Sequence, residues 1–110
     1  MPEPVVVLST CESFEDARRI GRHLVERGLA ACVNLVPGVN SIYRWEGKIE
    51  EAGEVMLVIK SSRKLVSEIQ REFRTIHPYN VPELVVLAVA GGSAQYLGWL
   101  DENLTHETGS

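Results

Sequence analysis

The sequence predicts an α+β domain of the ferredoxin-like βαββαβ kind, and three observations carry that expectation. Segments with strand and helix character follow one another as strand, helix, strand, strand, helix, strand, the split βαβ order in which a four-stranded antiparallel sheet carries two helices on one face. The middle strands read as one long hairpin, and a short helix closes the chain. At 110 residues, a single domain spanning 1–110 is expected, large enough to bury roughly two-thirds of its unfolded surface.

Each element has a local cause. Residues 5–8, VVVL, form a continuous β-branched and aliphatic run between Pro4 and Ser9-Thr10, which reads as a central strand buried on both faces. Ser13 with Asp16 three residues on resembles a capping box; Ala17, Ile20 and Leu24 then recur at helical spacing, and Gly28 stands where that helix, over about 14–27, must stop. Arginines 18, 19, 22 and 27 alternate there with Glu15, Asp16 and Glu26, the pattern of a solvated face. Residues 31–36 and 39–45 read as one strand bent at Pro37-Gly38. Glu46-Gly47-Lys48 supplies the hairpin turn, and the partner strand runs from Ile49 to Lys60.

Ser61-Ser62 are expected to cap a second helix in which Leu65, Ile69 and Phe73 face inward while Lys64, Glu68, Arg71 and Glu72 face out, ending near Thr75 because Pro78 follows. The last strand is expected over 84–90. Gly91-Gly92-Ser93 then turns the chain into a short helix holding Tyr96, Leu97, Trp99, Leu100 and Leu104, and the polar tail from Thr105 onward is expected to fray. The first, third and fourth strands are apolar at nearly every position, including those pointing away from the helices. Their open face therefore needs cover from another chain, and a homo-oligomer is expected. The hairpin arms are long enough to project beyond the core, where a two-stranded ribbon is marginal unless it pairs with something else.

Composition narrows the function. Apolar residues make up 45% of the chain, charged residues 24%, and the net charge is -4, a globular profile without the positive charge that drives non-specific nucleic-acid binding. No segment approaches the roughly 18 apolar residues of a membrane span, and no signal-peptide pattern opens the chain, so no membrane partner and a cytoplasmic setting are expected. Without a secretory route, the glycosylation tripeptide at Asn103 carries no weight. Cys11 and Cys32 fit neither a disulfide framework nor a zinc-finger spacing and read as reduced thiols, Cys32 as a small buried hydrophobe. There is no nucleophile elbow, phosphate-cradling lysine loop or HExxH, and no catalytic residue or obligatory cofactor is assigned. RNA reading on the sheet would need stacking aromatics in a central strand, and residues 55–59 have none.

The densest polar chemistry lies in residues 77–83, HPYNVPE. His77, Tyr79 and Glu83 are gathered between two prolines just ahead of an apolar strand; each proline favours an extended residue before it, at His77 and Val81. An imidazole and a carboxylate suit a borderline divalent ion such as copper or zinc, with Cys11 or Cys32 as a soft contributor. The alternative is structural: His77 and Glu83 hydrogen-bond the tight turn and cap the strand. Tyr43, Trp45, Tyr96 and Trp99 suit an interface or a cleft wall, although Trp99 would equally serve core packing. Lys60 could neutralise an anion or end its strand in solvent. Gly91-Gly92-Ser93 reads as a turn with an N-cap or as an anion site at a helix start.

Four segments then resemble, in order, the successive blocks of the CutA divalent-cation tolerance family: GLAACVNLVPGVNSIYRWEGKIEE (28–51), EVMLVIKSS (54–62), HPYNVPELVVLAV (77–89) and YLGWL (96–100). That resemblance implies a ferredoxin-like subunit similar to PII-type signalling proteins, assembled as a tight homotrimer with sheets extended between subunits. It also implies tolerance of divalent cations, copper above all, and in some members a copper site made from a cysteine ending the first strand and two adjacent histidines before the proline. Here Ser9 stands at the cysteine position and Ile76 at the first histidine, and His77 is retained. Two readings result: copper or another divalent cation in intersubunit clefts through His77, Glu83 and Cys11, or a PII-like module in which Trp45, Lys60, His77 and Tyr79 line a cleft for a small anionic ligand or a partner peptide.

Overall fold

A computed structural model describes residues 2–106. The sheet contains β1 (Pro4–Cys11), β2 (Cys32–Trp45), β3 (Lys48–Ser62) and β4 (Val85–Ala88) in the order β2-β3-β1-β4, every neighbour antiparallel. Helix α1 (Phe14–Glu26) follows β1, α2 (Val66–Ile76) follows β3, and α3 (Ala94–Glu102) follows β4. This is the α+β, ferredoxin-like arrangement that the element order predicts.

Strand alternation sorts the sheet into two faces. Val5 and Val7 of β1 and Leu57 and Ile59 of β3 are fully buried, sharing one cluster with Ile20 and Leu24 of α1 and Ile69 and Phe73 of α2. The intervening residues form the opposite, open face. Val6 lies opposite Leu87 and Leu8 opposite both Val58 and Val85, so these residues and Met56 make an apolar surface no helix covers. Two expectations change here: β1 is sealed on one face only within the chain, and β4 is a four-residue edge strand with Val85 and Leu87 each 47% exposed. Cys32 joins this open face and is only half-buried.

The turn chemistry behaves as its residues dictate. Ser13 accepts from the Asp16 amide at 3.1 Å and caps α1. Glu46 (φ 49) and Gly47 (φ 80) make the two-residue hairpin turn with both central residues left-handed. Ser93 caps α3 by accepting from the Tyr96 amide. Ser61-Ser62 does not cap α2. Ser62 instead opens a 3-10 turn, Arg63–Leu65, without a capping bond, while the Ser61 hydroxyl donates to the Leu29 carbonyl at 2.6 Å and ties down the loop before β2. No structural reason is apparent for the unpartnered buried hydroxyl of Ser62.

Glu68 and Glu72 are also placed differently from the sequence expectation. Both flank the inward stripe of α2: Glu68 is buried and paired with Arg71, and Glu72 bridges to α1, with His23 at 2.5 Å and Arg27 at 3.2 Å. The hydrogen bond from His23 holds the Glu72 carboxyl below its ordinary range.

Gly28 sits at φ +69, and its carbonyl accepts from the Thr105 amide at 2.8 Å, so the start of the tail is tied down; the rest of the tail, 107–110, lies outside the described residues. A Cβ at Gly28 would come within 3.2 Å of that amide. Gly28→Ala is therefore expected to cost about 1–2 kcal/mol from the left-handed backbone, and more if Thr105 is displaced. Urea denaturation would measure it, and an unchanged midpoint would refute it.

Candidate functional site

The site grows from the end of α2. Pro78 holds His77 extended (φ -88, ψ 133), and its amide still donates to the Phe73 carbonyl at 3.0 Å. Ile76, at the position of the family's first histidine, packs its side chain on the core and gives its carbonyl to the Arg19 guanidinium at 2.8 Å. The His77 ring is thereby directed beneath β1, between Phe73 and Tyr79, whose ring centres lie 5.3 and 5.1 Å away.

Both ring nitrogens of His77 are engaged. Nδ1 accepts from the Tyr79 amide at 3.1 Å, so the proton is on Nε2, which donates to the Thr10 carbonyl at 3.0 Å and lies 3.4 Å from the Ser9 hydroxyl. Burial holds the imidazole below its ordinary 6.5, opposed in part by the Thr10 bond. A neutral imidazole offers one lone pair to a metal, and here the backbone of Tyr79 takes it. The structural role set out for His77 is thus visible in detail. Ser9 also lies beside this histidine, at the position the family resemblance gives its cysteine.

Cys11 points inward two residues further on, fully buried, with its thiol donating to the Ser13 carbonyl at 3.4 Å. Burial pushes that thiol up, which keeps it protonated and a poor metal ligand. Glu83 is half-buried and accepts from the Thr10 hydroxyl at 3.5 Å. Among the described residues, no three His, Cys, Asp or Glu side chains form a ligand cluster.

Above this layer, an open groove of about 790 Å³ lies between the hairpin and the 78–83 turn. Thr10, Tyr43, Trp45, Glu54, Tyr79 and Glu83 are among the residues that line it. A bulge decides which hairpin residues reach it: β2 spends three residues, from Val36 to Val39, against two on β3, from Met56 to Glu54. Strand parity switches there, and Tyr43 and Trp45, rather than Arg44, come to share a face with Glu54 and Thr10. Gly38, at φ +77, supplies the backbone freedom for this switch.

The Tyr79 hydroxyl donates to Glu54 at 2.7 Å; burial first, and then that carboxylate, push the phenol well above its usual range. Among the described residues, no lysine, arginine or histidine lines the groove. Of the residues singled out in sequence, Tyr43, Trp45, Tyr79 and Glu83 meet there, while His77 and Cys11 lie beneath it. Lys60 does not join them. It bonds Asn34 at 2.5 Å and faces Val6, four residues along β3 from the Met56–Thr10 pair, roughly 13 Å away. Sequence reasoning misses Glu54 and Thr10, because neither stands out as a ligand in its segment; the β1–β3 register puts them on one face, and the Tyr79 hydroxyl meets Glu54 there.

Comparison with known proteins adds a family. The profile described as CutA1 divalent ion tolerance protein matches residues 5–103. The chain is 48% identical over 98 residues to the divalent-cation tolerance protein CutA of Thermus thermophilus, covering 89% of this chain and 95% of that protein. It is 46% identical over 91 residues to human protein CutA, across 83% of this chain but 51% of the longer human protein. The crystal structure of CutA1 from Oryza sativa superposes with a TM-score of 0.92 at 35% identity, covering 96% of each chain.

Proposed function

The chain belongs to the CutA1 divalent ion tolerance family, and from that premise we propose that it works as a homotrimeric, non-catalytic binding protein of the cytoplasm that takes copper or another divalent cation at the groove. The carrying observation is that Glu54 and Glu83 present carboxylates to a groove lined, among the described residues, by no basic side chain. In this reading Glu83 is the anchoring ligand. His77 becomes a second ligand when Tyr79 releases Nδ1, and Cys11 a third only when the core beneath it opens. What supports the trimer is the apolar open face of Val6, Leu8, Met56, Val58, Val85 and Leu87. Free thiols at Cys11 and Cys32 accord with a reducing compartment.

An anionic ligand is not favoured, because Lys60 lies away from the groove and two carboxylates line it. Calorimetric titration of metal-free protein with copper tests the cation reading. Glu83→Gln is expected to weaken binding at least tenfold, and an unchanged affinity would remove Glu83 from the site.

A further inference from the structure

The groove has more aromatic surface than a metal ion uses. Tyr43 and Trp45, 44% and 53% exposed, stand two residues apart on one face of β2, and Tyr79 faces them from the turn, its hydroxyl held by Glu54. By register, Tyr43 lies opposite Glu50, which adds a third carboxylate on the same side of the hairpin. The nearest base on that face, Lys48, pairs with Trp45 at the hairpin tip and does not line the groove. Neither Glu54 nor Glu83 forms an ion pair among the described residues.

Glu83 is fixed to Thr10. Thr10 faces Met56, two residues from Glu54, which puts Glu54 diagonal to it across β1 and β3, at roughly 7–8 Å. Negative aromatic faces beside closely set carboxylates complement a positive charge spread over alkyl groups, which a strongly hydrated metal ion does not offer. We propose that the groove bounded by Tyr43, Trp45, Glu54, Tyr79 and Glu83 is a binding site for a small organic ammonium ion. The aromatic rings contact its alkyl groups and the carboxylates neutralise its charge. This goes beyond the divalent-cation reading, since it needs no metal and uses the outer, hairpin side of the groove.

Tetramethylammonium is the probe, because it has no lone pair and cannot bind through a metal. In Trp99→Phe protein treated with EDTA, Trp45 is the only indole, and tetramethylammonium is expected to change its emission saturably in the millimolar range. Tert-butyl alcohol, of similar size but uncharged, is expected to bind at least tenfold more weakly, and Glu54→Gln to weaken tetramethylammonium at least fivefold. Trp45→Leu, followed by saturation transfer to the probe's methyl protons, is expected to abolish binding. Sedimentation confirms that each variant keeps the parent's assembly. Equal binding of the alcohol, no saturable response, or indifference to both Glu54→Gln and Trp45→Leu would each overturn the proposal. Copper titration of the same variants reads the metal site separately, so failure of one reading leaves the other intact.

Discussion

Val58→Asp is expected to yield a folded monomer in place of the assembled protein. Val58 lies mid-sheet on the open face, opposite Leu8 on β1 and Asn34 on β2, and within one chain it is only half-buried. A carboxylate there costs an isolated subunit little, since surface substitutions usually stay within about 0.5 kcal/mol. Against a second copy, the same carboxylate would be desolvated, at an effective cost of several kcal/mol per ion. Leu8 on β1 is its apolar neighbour, and Lys60, two residues along the same face with its ammonium already bonded to Asn34, would offset that cost only in part. Sedimentation equilibrium separates the cases: a drop to the mass of one chain with far-UV dichroism retained is the expected result, and Val58→Leu should keep the parent mass. Unchanged mass and melting temperature in Val58→Asp would mean that this face is not where copies meet.

What could be read from the sequence follows the range of the interaction. The Ser13 cap, the Gly28 stop, the Glu46-Gly47 turn and the bend at Pro37-Gly38 each depend on a few neighbouring residues, and all lie where the local pattern puts them. Glu68 and Glu72 were misplaced because helical periodicity puts them at the border of the stripe; the partner that draws Glu72 inward, His23, is 49 residues away. The run 84–90 reads as core because it is apolar, yet only a second chain could bury an edge strand on that face. The candidate site divides the same way. Tyr79 and Glu83 are conspicuous between their prolines, whereas Glu54 looks like one more acid on a solvated arm until the register places it under the Tyr79 hydroxyl.

His77→Ala is expected to destabilise the protein by about 2–4 kcal/mol at pH 7.5, because it opens a cavity beside Phe73 and leaves the Tyr79 amide without its acceptor and the Thr10 carbonyl without the ring donor. The parent should show a matching pH dependence. The folded imidazole titrates below 6.5 because burial favours its neutral form, and protonation would also abolish the acceptor that Nδ1 gives to Tyr79. As pH falls, the unfolded chain takes up this proton first. The contribution is therefore present in full above about 6.5 and is lost as pH drops through the interval down to the folded value. Urea unfolding between pH 7.5 and 5.5, above the range of most carboxylates, isolates this effect: the parent should lose stability on acidification, and His77→Ala should lose markedly less. Parallel slopes in the two proteins would mean that the imidazole is not held neutral. The same ring positions Tyr79, and Tyr79 positions Glu54, so the variant should also weaken an organic ammonium ion bound in the groove, which the ring does not contact. That loss should be regained in part by His77→Gln, whose side-chain amide can still donate to Thr10.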